Sequence, residues 1–139
     1  MPAETHLTIT SMILGGVFDA VPETLRICFA HGGGAFPGLI GRLDQVWHYG
    51  PKDIGKGQST RPPSEYVNRF FVDSLVYDPR VLELMIKVMG EGQIALGSDY
   101  PFAIGEQPVG GMVRGMALSD AVKAKILGSN AQRFLGLDQ

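Results

Sequence analysis

The stretch Arg26-Ile27-Cys28-Phe29-Ala30-His31-Gly32-Gly33-Gly34 decides how the chain is read. A short apolar run that stops at a histidine and three glycines has the pattern of a strand buried on both faces. Such strands belong to parallel sheets covered by helices. His31 then stands at the strand's carboxyl end, the edge where α/β folds gather their loops around one crevice. Cys28, inside the run, reads as a small core residue. As the single cysteine it forms no internal disulfide, which points to a reducing, cytoplasmic setting.

Two further runs of the same kind follow. Phe70-Phe71-Val72-Asp73 comes after a short helical stretch from Ser64 to Arg69, and Gln93-Ile94-Ala95-Leu96-Gly97 leads into Ser98-Asp99-Tyr100-Pro101-Phe102. Between the runs lie helical patterns. Phe36, Leu39, Ile40, Leu43, Val46 and Trp47 recur at spacings of three and four up to Tyr49, and Pro79 opens a second such segment that Gly90 closes after Met89. Pro2 to Gly15 reads as a helix with Pro2 in its first turn and Glu4 at its positive end. The tail reads as helices over Val109–Met116, Ser119–Leu127 and Asn130–Leu135, with Ser119 and Ser129 as caps. Gly50 to Pro63, which contains Lys52, Lys56 and Arg61, reads as a solvated loop. Strands that alternate with helices require parallel pairing and right-handed crossovers, so the class is α/β. A piece of a β/α barrel and a small open sheet both fit.

At 139 residues, 45% of them hydrophobic and 19% charged, the chain suffices for one core and one domain, 1–139. A formal net charge of −2 opposes a nucleic-acid binder, which needs a basic surface to displace counterions from phosphates. The opening residues lack the basic start of a signal peptide, and no apolar run approaches the length of a membrane span.

Parallel strands place their carboxyl ends on one rim, so His31 and Asp99 are expected to share it with Asp73 between them. Two strand steps separate the backbones by roughly 10 Å. Two inward side chains at that distance can still converge on one small species such as a metal-bound water. Imidazole carries protons near neutral pH, and a carboxylate ligates a divalent ion. Each has a plainer reading as well: His31 as a structural residue at a strand end, Asp99 as a turn residue before Tyr-Pro-Phe, Asp73 as the partner of its own following turn. Gly32 to Gly34 either turn the backbone tightly so that His31 faces a cavity or cradle a phosphate, although the spacing of a dinucleotide fingerprint or P-loop is lacking. His6 and His48 lie on predicted helices without partners at ligand spacing and are read as surface residues.

The segments "MPAET", "CFAHGGGAFPGLIGR", "PPSEYVNRFFVDS" and "LGSDYPFAIGEQ" resemble the amidohydrolase superfamily. Within it they are most similar to the decarboxylase family that acts on 2-amino-3-carboxymuconate 6-semialdehyde, in tryptophan (kynurenine) or 2-nitrobenzoate breakdown. The resemblance implies a metal-dependent TIM (β/α)8 barrel, with one Zn2+ held by a His-x-His pair, a middle-strand His and a last-strand Asp. By motif, Asp99 matches that last metal ligand, and His31 matches the catalytic histidine that stays off the metal and manages its water. Arg42 matches an arginine that reaches a neighbouring subunit's site and pairs with a substrate carboxylate, which implies a homodimer. Phe102 matches a pocket-wall aromatic. The implied reaction is a decarboxylation of a small dicarboxylate without oxygen or organic cofactor. This sequence contains no His-x-His and matches only the carboxyl-terminal portion of the pattern, its last three strand-helix units. The 139-residue chain alone is therefore expected to be inactive or nearly so, with apolar faces left exposed. Another decarboxylase or hydrolase of the superfamily, or a truncated subunit that only dimerises, are the alternatives.

Overall fold

The computed structural model describes residues 1–51 and 56–137. Helices α1 (Pro2–Leu14) and α2 (Val17–Ala20) precede strand β1 (Cys28–Phe29), which runs into a tight 3₁₀ turn over His31–Gly33. Helix α3 (Phe36–Tyr49) and a 3₁₀ segment (Pro63–Arg69) then lead to β2 (Phe71–Asp73), and α4 (Pro79–Met89) leads to β3 (Ile94–Ala95). The tail holds α5 (Gly111–Gly115), α6 (Asp120–Ala124) and α7 (Asn130–Leu135). Part of the expected loop, residues 52–55 with Lys52, lies outside the described residues.

The sheet is parallel in the order β1-β2-β3. Register places Cys28 beside Phe71, Phe29 beside Val72, Val72 beside Ile94, and Asp73 beside Ala95. Residues paired in this way share a face, so Phe29, Val72 and Ile94 look one way while Cys28, Phe71, Asp73 and Ala95 look the other. The first face meets the helices and forms the core with Ile9, Ile13, Leu82 and Met85, all fully buried. Phe70, one residue before β2, sits among Phe18, Phe29 and Phe36 with ring centroids 5.5, 5.3 and 5.7 Å away. Offset and edge-on rings at these distances add attraction beyond the area they bury.

The strands are shorter than the apolar runs that announce them, because pairing ends where the chain bends into each following turn. The carbonyl of Ile27 still accepts from the Phe71 amide, so the ladder begins one residue before β1. The tail helices expected on either side of Leu127 are joined by a π turn over Lys125–Ser129. Ser119 caps α6 by accepting from the Val122 amide at 3.3 Å, whereas Ser129, expected to cap, lies inside a continuous helical stretch and makes no cap bond. Asn130 is buried instead, and its amide donates to the carbonyls of Glu91 and Ile94, which pins α7 to the entrance of β3.

Besides the Ser129 cap, two sequence readings need correction. Cys28 is exposed rather than part of the core. It lies on the edge strand, on the face it shares with Phe71, and there Phe134 and Arg133 of α7 pack on the Phe71 ring. Desolvation around the sulfur, with the Asp73 carboxylate as the smaller cause, nevertheless pushes the thiol up to about 11. Alkylation of Cys28 by iodoacetamide at pH 8 should therefore run on the order of a hundredfold slower than that of an ordinary cysteine, and accelerate up to about pH 11. Mass-spectrometric rates against pH check this. His6 is the second correction: it is half-buried, its Nδ1 is sequestered without a partner among the described residues, and its ring lies 6.4 Å from Phe36. The first turn of α1 rests on the glycine turn, with the Pro2 carbonyl against Gly34, and that contact draws His6 inward. His48 is exposed, edge-on to Trp47 at 4.9 Å.

Candidate active site

Each strand ends in a loop that carries one non-glycine residue with left-handed backbone. These are His31 (φ 58°), Tyr77 (φ 53°) and Asp99 (φ 59°), and they are the only such residues among those described. Left-handed backbone costs most side chains about 1–3 kcal/mol and clusters where a site demands a particular orientation. All three line one cavity of about 480 Å³. Leu75, Val76, Val81 and Ile104 supply its apolar wall, and Met1, Pro2 and Gly34 close one side. The cavity lies at the carboxyl ends of the strands, so the rim shared by His31 and Asp99 is present.

His31 lines the cavity, and its buried Nδ1 has no hydrogen-bond partner among the described residues. A neutral imidazole has one donor and one acceptor nitrogen, so an unspent ring is equipped to take or give a proton. Asp99 is half-buried in a turn closed by the Phe102 amide, which donates to the Asp99 carbonyl at 2.8 Å. Tyr77 crosses the mouth, its hydroxyl donating to the Ile104 carbonyl at 2.5 Å. Desolvation, and after it the carboxylates of Asp99, Glu106 and Asp73, hold the Tyr77 phenol above its usual pKa.

Asp73 stands behind this rim. Its Oδ2 accepts from the His31 amide at 3.0 Å, and its Oδ1 accepts from the amides of Gly32 at 2.8 Å and Leu75 at 3.1 Å. Burial is the larger influence and pushes its carboxyl above the usual range, against the pull of those donors. Of the remaining residues singled out in the sequence, Arg42 is exposed on α3 and Phe102 is 62% exposed, and neither lines the cavity. Tyr77, Leu75 and Ile104 escaped sequence reasoning, although Leu75 and Tyr77 follow a strand end just as His31 and Asp99 do.

A divalent ion requires several converging donors. Among the described residues no three His, Cys, Asp or Glu groups converge in a way that holds one. Asp99 fits one donor position and His31 fits a proton carrier beside it. These two residues do not by themselves make a metal site.

The amidohydrolase family model matches residues 1–137. The chain belongs to the amidohydrolase family. A protein from Dictyostelium discoideum named 2-amino-3-carboxymuconate-6-semialdehyde decarboxylase is 46% identical over 139 residues, covering 99% of this chain and 38% of that protein. Solved structures agree. The 5-carboxyvanillate decarboxylase LigW from Sphingomonas paucimobilis is 29% identical with a TM-score of 0.80, covering 96% of this chain and 40% of its own. A dihydroxybenzoic acid decarboxylase from a Polaromonas species, solved with bound manganese, shares the fold at a TM-score of 0.85 and 23% identity, covering 99% of this chain and 41% of its own. This amidohydrolase chain thus spans about two fifths of the length of the proteins it matches.

Proposed function

We propose that this chain is the carboxyl-terminal part, the last three strand-helix units, of a TIM-barrel decarboxylase that removes carbon dioxide from 2-amino-3-carboxymuconate 6-semialdehyde. The observation that carries the reading is the meeting of His31, Tyr77 and Asp99, each in left-handed backbone, around one cavity at the carboxyl ends of the strands. The identity to the Dictyostelium decarboxylase supports the choice of substrate.

In this reading Asp99 gives one carboxylate to a divalent ion, taken to be zinc, whose other donors belong to the rest of the enzyme. A bound divalent ion lowers the pKa of water toward neutrality and stabilises developing negative charge on oxygen. His31 handles the proton: breaking a carbon–carboxylate bond leaves an electron pair that must end on a C–H bond, and the unspent imidazole is placed to manage that transfer. The apolar wall of Leu75, Val76 and Ile104 limits water around the reacting carbon. Arg42, exposed and in no ion pair among the described residues, neutralises a substrate carboxylate across a homodimer interface, whereas Phe102, outside the cavity lining of this chain, takes a pocket-wall role only once the rest of the barrel is in place.

The test is the whole enzyme, purified with zinc and given the aminocarboxymuconate substrate, with release of one carbon dioxide per turnover followed directly. Steady turnover that stops on chelation is expected. No turnover of that substrate, together with decarboxylation of a hydroxybenzoate, would transfer the reading to the aromatic acids named for the solved relatives. The 139-residue polypeptide by itself is expected to retain well under one equivalent of zinc after dialysis and to show no turnover. Stoichiometric zinc with turnover in that polypeptide would overturn the division of ligands proposed here.

A further inference from the structure

We propose that Asp73 is a positioning residue for His31: its carboxylate, fixed at the end of β2, holds the preceding unit's turn in the left-handed form that presents the imidazole to the cavity. The inference rests on the role given to His31 above. A carboxylate that merely closed its own turn would need the Leu75 amide alone. The other two donors, the amides of His31 and Gly32, come from 42 and 41 residues away. They are consecutive amides, one taken by each carboxylate oxygen, so the pair fixes the rotation of the peptide between them as well as its position.

The surroundings leave this turn one seat. A Cβ on Gly32, whose φ is +61°, would lie 2.4 Å from Val76 Cγ1 and 2.9 Å from Met85 Sδ, so the turn is pressed onto the start of the β2 loop and α4. On the other side, a Cβ on Gly97 would come within 2.8 Å of Asp73 Cβ, so the segment that follows β3 holds the carboxylate from behind. The buried Nδ1 of His31 has no hydrogen-bond partner among the described residues, so no bond at that nitrogen orients the ring. The backbone grip is what aims it.

Asp73→Asn separates this role from simple structural support. The amide keeps the size of the carboxylate but has one acceptor oxygen, so turning it to serve Gly32 and Leu75 sets its NH2 against the His31 amide. In the whole enzyme kcat should fall about 10- to 100-fold with KM nearly unchanged, as for a misaimed catalytic group. In a His31→Asn background the same change should cost almost nothing further, because the group it aims is gone. Equal losses in both backgrounds, or an unchanged kcat in folded Asp73→Asn, would overturn the proposal.

Wild-type protein supplies a second test that needs no variant. The amide protons of His31, Gly32 and Leu75 should shift with one common midpoint as Asp73 titrates, and independent or absent shifts would contradict the grip. If the whole enzyme proves inactive on the aminocarboxymuconate substrate, the substrate reading fails while the amide titration still decides whether Asp73 holds the turn.

Discussion

His31→Asn in the whole enzyme is expected to lower kcat by about 10²–10⁴-fold, the usual worth of a positioned proton carrier. Asparagine is the substitution of choice because position 31 has a φ of 58°, a conformation that asparagine accepts more readily than most residues. The backbone bonds to Asp73 involve the amides of residues 31 and 32, so they survive the change of side chain. Loss of activity then reports loss of the imidazole and not of the turn. KM should move little, and the unfolding midpoint should stay close to that of the parent, since the imidazole makes no hydrogen bond at Nδ1. Activity within a few-fold of the parent would mean that another group carries the proton.

Phe70→Ala is expected to be the most damaging single change to the fold, at about 3–5 kcal/mol. Phe70 is 1% exposed, and three aromatic rings meet it within 5.7 Å. They come from α2, β1 and α3, so the ring joins three elements at the entrance to β2. Removing it opens a cavity that no single neighbour can fill, because each is held by its own element. Phe70→Leu keeps much of the volume and should lose well under half as much stability. Denaturant midpoints of the two variants and the parent decide the matter, and a loss below about 1 kcal/mol for the alanine variant would show that the cluster relaxes to close the gap.

The strand-helix alternation was legible because glycine and proline punctuate it: Gly50, Gly90 and Pro79 bound helices very nearly where the pattern puts them. The placement of His31 and Asp99 on one rim was legible for the same reason, since parallel strands leave no other arrangement of their ends. Cys28 was misread because an apolar run shows that a strand is buried somewhere and does not show which of its faces is covered. On β1 the face that carries Cys28 is the uncovered one. His6 was misread because helix periodicity does not reveal that the glycine turn docks against the first turn of α1. Asp73 was read as the partner of its own turn, which it is through Leu75, while its reach to His31 and Gly32 depends on strand order. The left-handed backbone of Tyr77 is a tertiary effect of the same sort. Its residue type gives no hint of a positive φ, unlike a glycine in the same place.

The central claim is that His31 and Asp99 serve one reaction centre. A crystal structure of the whole enzyme with a divalent ion, its position taken from anomalous scattering, tests this most directly. The account predicts an ion about 2.0–2.2 Å from an Asp99 carboxylate oxygen, inside the cavity lined by His31 and Tyr77, with the imidazole close enough to share a water with it. An ion bound elsewhere with Asp99 unligated, or a His31 ring turned out of that cavity, would contradict it.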